Sequence, residues 1–296
     1  MDRNLEYIIT SEYNDMPLNK YLLRHNYTVS ILKKLRSDDS LVLVNGLASF
    51  TNKILREGDL VHIKIPENDK ENAILPIKLD FGIIYEDEDL IVVNKPYDMP
   101  IHPSMNNYEN SLANALTYYY KDTDSPFIYR CIDRLDRNTS GLTIVAKNPL
   151  SASILNDQMK NRQIRKTYKA IVSGIVENES GTITAPIARE EESCIKRIVD
   201  FDKGEQAITH YQVLKYIDKK FTLLSFKLDT GRTHQIRVHM QYIGHPLIGD
   251  FLYNPDDDSL DRQALHADSI AFTHPVSGEF LHFEAPLPED MLGIIE

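Results

Sequence analysis

Cysteine is scarce in this 296-residue chain: Cys131 and Cys194 are the two, far apart in sequence. They form no metal-type pair and no disulfide framework, and so few thiols point to a reducing compartment. Long apolar runs are missing too, and no segment approaches the length of a membrane span. The opening "MDRNLEYIIT" carries charges where a secretory signal would need an apolar core. These absences predict a cytoplasmic protein with no membrane partner. No repeat of fixed period occurs. Positive charge is also in short supply: 33 Lys and Arg stand against 44 Asp and Glu, a net charge of -11. Phosphate binding wants positive surface, but a polyanion meets one face alone, so the distribution of charge matters more than its sum.

What is there is uneven along the chain. Residues 1–67 read as a small unit, with apolar spacing at Leu18, Tyr21, Leu22, Ile31, Leu32 and Leu35 that suits two short helices. "LVLVNG" then reads as a strand ending in an Asn-Gly turn, and "LREGDLVHIKIP" as a turn and a closing strand. Lys20, Arg24, Lys33, Lys34 and Arg36 lie on the predicted helices. This unit resembles the alpha-L RNA-binding module found at the front of some RNA-modifying enzymes. Residues 68–78, polar and charged, read as a linker. Residues 79–296 change texture to many short strands with turn signals. Helices are expected at "SLANALTYYYK" and "PLSASILNDQMKNRQ", the second capped near Asn148. The pattern is α+β with a largely antiparallel sheet.

Three segments concentrate chemistry. "YRCIDRLDRNTSGLTIVAKN" sets Asp133, Arg134, Asp136 and Arg137 before a turn and a buried-strand pattern. Alternating Asp and Arg can pair on a surface with little effect. Alternatively, a carboxylate is held ionised beside arginines at the rim of a cleft. "KNRQIRKTYKA" packs five basic residues and no acid around Tyr168. A ring among cations is a composition that stacks bases while holding phosphates. "LDTGRTHQIRVHMQYIGHPLIGDFLY" brings Arg232, His234, Arg237, His239, His245 and Asp250. The histidines invite a zinc hypothesis, but their spacings match no HExxH pattern, and hydrogen-bonding struts are the better reading.

"DRLDRNTSGLTIVAKN" resembles the central motif of the RluA family of RNA pseudouridine synthases, roughly HRLD-x-x-T-S-G-L-x-x-x-A-K. "YEDEDLIVVNKPYDMPIHP", "KTYKAIVSG", "TGRTHQIRVHMQYIGHPLIGD" and "LHADSIAFTHPVSGE" resemble the family's other motifs, in family order over about residues 80–290. The resemblance implies a pseudouridine synthase fold with a mixed, mainly antiparallel central sheet. It implies isomerisation of uridine in RNA without cofactor or metal, by a monomer. The pairing with the front module is similar to the large-subunit ribosomal RNA branch, with transfer RNA second; a non-catalytic RNA-binding assembly factor is the competing class.

By position, the resemblance puts the catalytic aspartate at Asp136, the active-site tyrosine at Tyr168 and the active-site arginine at Arg232. A guanidinium beside the carboxylate would keep it charged and oriented while shielded from water. Tyr168 would stack on uracil and bring its hydroxyl near carbon five. Arg134 would fill the space left by the extruded base or hold its phosphate, and Ile236 would wall the uracil pocket. Lys147 and Lys166 are expected phosphate contacts. One position departs from the family: Asp133 stands where a histidine is usual, which changes local charge but not the nucleophile.

Overall fold

The computed structural model describes residues 1–67, 74–104, 107–123, 126–193 and 195–296. Cys194 and most of the expected linker, 68–73, lie outside the described residues. The first unit runs β1 (Arg3–Ile8), α1 (Leu18–Arg24), α2 (Val29–Leu35), β2 (Val42–Val44), β3 (Leu47–Ala48) and β4 (Leu60–Ile65). Its strands pair in the order β1-β4-β2-β3. Asn45 and Gly46 between β2 and β3 have φ of 53° and 78°, the two left-handed residues that a tight hairpin turn requires. Leu18, Leu22, Ile31, Leu32 and Leu35 pack from the helices onto Val61, Ile63 and Ile65. Thr28 caps α2 by accepting from Ile31 N at 3.2 Å.

The second unit contains β5 (Gly82–Glu86), β6 (Leu90–Lys95), α3 (Leu112–Tyr119), β7 (Ser140–Ala146), α4 (Pro149–Lys160), β8 (Arg165–Ser173) and β9 (Ser180–Thr184). It continues with β10 (Ile187–Arg189), β11 (Arg197–Val199), β12 (Ile208–Ile217), β13 (Phe221–Leu228), α5 (Gln235–Tyr242), β14 (Leu265–Thr273), β15 (Phe280–Glu284) and α6 (Glu289–Ile295). The main sheet has the order β5-β6-β7-β14-β8-β13-β12-β9, with β15 also on β14. Among the described strands of this sheet, β7–β14 is parallel and the other pairings are antiparallel.

Both faces of the β6–β7 pair are covered, which is why "LTIVA" is apolar without alternation. On one face Ile91, Val93 and Val145 meet Leu112 and Leu116 of α3. On the other, Leu90, Val92, Leu142 and Ile144 meet Ala152 and Leu155 of α4. Both helices start where the sequence signals them. Ser111 and Asn114 form a capping box on α3, and Asn148 accepts from Ser151 N at 2.9 Å on α4. Gly141 opens β7 with φ of +111°, and a Cβ there would lie 2.2 Å from Ala267 O of β14. Only glycine allows that approach.

The two units are in direct contact. Leu150 of α4 is part of the first unit's core, and Ile154 packs against it. Arg3 grips Asp89 at 2.9 and 3.0 Å. Arg130 donates to both oxygens of Glu67 at 2.8 and 2.7 Å. Of the basic residues expected on an RNA-facing surface, Lys20, Arg24, Lys33 and Arg36 are exposed. Lys34 donates to Pro66 O at 2.6 Å, and Arg36 to Thr51 Oγ1 at 2.9 Å.

Candidate active site

Residues 130–132 run beside β7: Ile132 N donates to Ile144 O and Ala146 N to Arg130 O, both at 2.9 Å. The chain then reverses through residues 136–139, where Thr139 N donates to Asp136 O at 3.1 Å. Ile132, Asp133 and Leu135 are buried, while Arg134 and Arg137 are exposed. The Asp136 side chain is 29% exposed, so it is neither sunk in the core nor free in solvent.

Buried cations hold this turn from behind. Lys95, at the end of β6, donates from Nζ to Pro96 O and Met99 O at 2.8 Å and to Arg137 O at 3.1 Å. Burial pushes its pKa down to about 7, while the charge of Asp136 pulls the other way. Arg262 donates from Nη1 to Asn138 O at 3.2 Å and grips Asp290 of α6 at 2.7 and 2.9 Å. Gln263 Nε2 donates to Thr139 Oγ1 at 3.3 Å. Three consecutive residues after Asp136 are thus tied to other parts of the fold.

The cation that reaches the carboxylate is Arg237 of α5, with Nη1 3.2 Å from Asp136 Oδ2. Arg237 is itself fixed by Asp250, whose two oxygens accept from Nε and Nη2 at 2.7 Å each. Burial disfavours the Arg237 cation, but Asp250 and Asp136 more than offset it, and its pKa is raised. His234 precedes α5 in the left-handed region, φ 58°. Its Nδ1 lies 2.9 Å from Tyr253 Oη and its Nε2 3.8 Å from Asp136 Oδ2. Burial lowers the His234 pKa against the pull of Asp136, which favours the neutral ring at pH 7.

Tyr168 lies mid-way along β8, opposite a bulge. Lys169 pairs with His266 and Thr167 with Ser269, so Ala267 and Asp268 of β14 face the single residue Tyr168. Bulges of this kind re-aim a side chain. Asp268 secures the bulge by accepting from Thr167 Oγ1 at 2.7 Å and pairing with Lys169 at 3.1 Å. Burial raises the Tyr168 phenol pKa; Asp133 and Asp136 add to the rise, and Lys166 opposes it. The phenol therefore stays protonated at neutral pH.

Asp136 and Tyr168 lie close enough for the Asp136 charge to act on the phenol. Arg232 is a correction. Its side chain is 40% exposed, ion-paired with Glu205, and its Nε donates to Gln206 O at 3.1 Å. It sits in the turn before α5, whereas Arg237 sits on the buried face of the helix. Lys147 and Lys166 also differ from expectation. Lys147 Nζ is buried against Glu86 at 2.9 Å. Lys166 Nζ is ion-paired with Asp133 and donates to Leu142 O at 2.9 Å. Neither ammonium faces outward to a phosphate. Asp133, at the family's histidine position, also accepts from Ile144 N at 3.0 Å and Thr143 Oγ1 at 3.1 Å. Ile236 is buried in the apolar cluster that Tyr168 also packs against. Arg134 is exposed.

The three histidines have separate partners. His239 contacts Thr209 Oγ1 and Ala185 O at 2.9 Å each, and His245 contacts Ser173 O at 2.9 Å. Among the described residues, Asp87, Asp89 and His274 bring ligand-type atoms within 4.8 Å of one another. Asp89 is already engaged by Arg3, Asn148 and Ser151, and Asp87 by Tyr85 and two backbone amides. No described helix is long and apolar enough to cross a membrane.

Sequence reasoning gave no site role to Lys95, Arg237, Asp250 or Arg262. Helical phase gives no signal for Arg237, because residues 235–240 of α5 are all buried; a buried guanidinium needs a carboxylate, and both Asp136 and Asp250 supply one.

The family model described as RNA pseudouridylate synthase matches residues 89–242. The uncharacterized RNA pseudouridine synthase YlyB of Bacillus subtilis (strain 168) is 42% identical, over 87% of this chain and 86% of its own length. The ribosomal large subunit pseudouridine synthase D of Escherichia coli O157:H7 is 37% identical, over 87% and 82%. Among solved structures, human RNA pseudouridylate synthase domain containing 1 aligns with a TM-score of 0.59 at 26% identity, covering 73% of this chain and 86% of that one.

Proposed function

The chain belongs to the RNA pseudouridine synthase family, and from that premise we propose that it isomerises uridines of ribosomal RNA, with Asp136 as nucleophile and no cofactor. The observation that carries this reading is a partly exposed carboxylate fixed 3.2 Å from a buried guanidinium. A group that merely binds a polyanion has no use for such a carboxylate. The ribosomal substrate is inferred from relatives named ribosomal large subunit pseudouridine synthase D.

The isomerisation breaks the bond between uracil N1 and the ribose C1′, turns the base, and joins C5 to C1′. The proton lost from C5 is balanced by one gained at N1, so no outside reactant is consumed. Asp136 supplies an electron pair to the uracil ring or to C1′ and is released unchanged. Arg237 keeps the carboxylate ionised and aimed, a role that falls to it rather than to Arg232. The neutral His234 lies alongside without adding charge. Tyr168 stacks on the extruded uracil. Such stacking is worth about 1–3 kcal/mol per base, comparable to the few kcal/mol that unstacking the target costs. Arg134, exposed two residues before Asp136, takes the vacated space or the neighbouring phosphate.

The test is release of tritium from ribosomal RNA labelled at uracil C5. Wild-type protein releases label and Asp136→Asn does not. Equal release by the variant would remove Asp136 from the mechanism. Release from transfer RNA but not ribosomal RNA would overturn the substrate.

A further inference from the structure

Single exposed apolar side chains are common on soluble proteins and need no explanation. Phe251 and Tyr97 differ in position and backing. Phe251 is 60% exposed and follows Asp250, the residue that fixes Arg237. The Arg237 guanidinium carbon lies 5.8 Å from the Phe251 ring centroid, and the same guanidinium reaches Asp136. Tyr97 is 49% exposed and follows Lys95 by two residues. The Arg262 guanidinium carbon lies 4.9 Å from its ring centroid, and the same guanidinium holds Asn138 O beside Asp136. Each ring is therefore one buried arginine away from the turn that carries Asp136. Each has that arginine nearby and much of its surface open to solvent.

We propose that Phe251 and Tyr97 are stacking platforms for the unpaired nucleobases adjacent to the extruded uridine. This rests on the RNA-directed reading given above and adds where the flanking nucleotides go. Extruding one nucleotide unstacks its neighbours, and their faces need new contacts. An aromatic ring accepts any base, because every base has a π-face, and a cation near the ring strengthens the platform. The exposed Arg134, on the same turn, supplies positive charge for the strand between the two rings. A protein partner would suit exposed rings as well, but it would not require each ring to sit against a buried arginine that also contacts the turn carrying Asp136.

The chain contains no tryptophan, so Phe251→Trp and Tyr97→Trp each install a single fluorescent reporter. Each variant is titrated with transcribed large-subunit ribosomal RNA and with heparin, a polyanion without bases. The expected result is emission quenched at least about twofold by RNA and little changed by heparin, with KM for tritium release raised about 5-fold or more in Phe251→Ala. Phe251→Tyr should restore KM and Phe251→Leu should not. Equal quenching by heparin, or full rescue by leucine, overturns the proposal. Label release by wild-type protein without base-dependent quenching sinks the platforms alone. Base-dependent quenching without label release sinks the catalytic reading and leaves the platforms standing.

Discussion

Replacing Arg237 by glutamine tests it against Arg232, the arginine that the sequence reading named. Arg237 donates twice to Asp250 at 2.7 Å and once to Asp136 at 3.2 Å. Both Arg237 and Asp250 are buried. Glutamine leaves the Asp250 carboxylate uncompensated in the core. Breaking a buried pair from one side costs about 3–5 kcal/mol, which for a chain of this size lowers Tm by roughly 5–8 °C. Activity should fall separately, by roughly 100-fold, because a preorganised charge beside the reacting carboxylate is lost. Adding Asp250→Asn removes the stranded charge. The double variant should therefore recover much of the Tm while its activity stays low. Arg232→Gln removes a half-exposed pair with Glu205, worth about 0–1 kcal/mol, and should slow the reaction by less than about threefold. The assay is single-turnover tritium release, run well below each variant's Tm. If Arg232→Gln slows release more than Arg237→Gln does, the assignment of Arg237 is wrong.

Lys95 has a folded pKa near 7 against an ordinary value of 10.5. The unfolded chain then binds the extra proton between those values, so this residue's penalty is complete below about pH 7 and fades as pH rises toward 10.5; urea unfolding of Lys95→Met between pH 7 and 10 should show a flatter rise in stability than wild type. Lys166→Met strands the buried Asp133 at a cost of about 3–5 kcal/mol, and adding Asp133→Asn should recover most of it. If that double variant binds RNA with a salt slope lower by about 1, Lys166 is a phosphate contact after all. Arg134→Ala, by contrast, should lower the slope of log affinity against log salt by about 1.

How much of this was legible depends on whether the physics is local. The Asn45-Gly46 turn, the Ser111 and Asn148 caps and the apolar run of β7 are set by residues within a few positions of each other, and each stands where the sequence puts it. Asp136 and Tyr168 were singled out because a motif names them. The partner of Asp136 was not, since the pair spans 101 residues. The start of α5 made it harder: His234 enters it in a left-handed conformation with no side-chain cap, so the segment lacks the usual helix-start signature. Arg232 and Arg237 then look equivalent, although one lies in a turn and the other on a buried helical face. Lys147 and Lys166 failed for a related reason. A lysine reads as surface until its counter-ion is known, and Glu86 and Asp133 lie 61 and 33 residues away.

The net charge of -11 now has a structural reading. Lys95, Arg237 and Arg262 are buried around the Asp136 turn, each bound to carbonyls or carboxylates. Such cations fix geometry rather than attract polyanion. Exposed cations near the site include Arg134, Arg137, which is paired with Asp98 at 2.6 Å, and Arg165 three residues before Tyr168. The first unit adds exposed Lys20, Arg24, Lys33 and Arg36. Its seat is firm: Glu67 is clamped by Arg130, and Leu150 of α4 lies within its core. Arg130 is six residues before Asp136 on the same segment, and α4 follows β7 directly. The first unit is therefore tied to the turn that carries Asp136 through a short, packed stretch of chain.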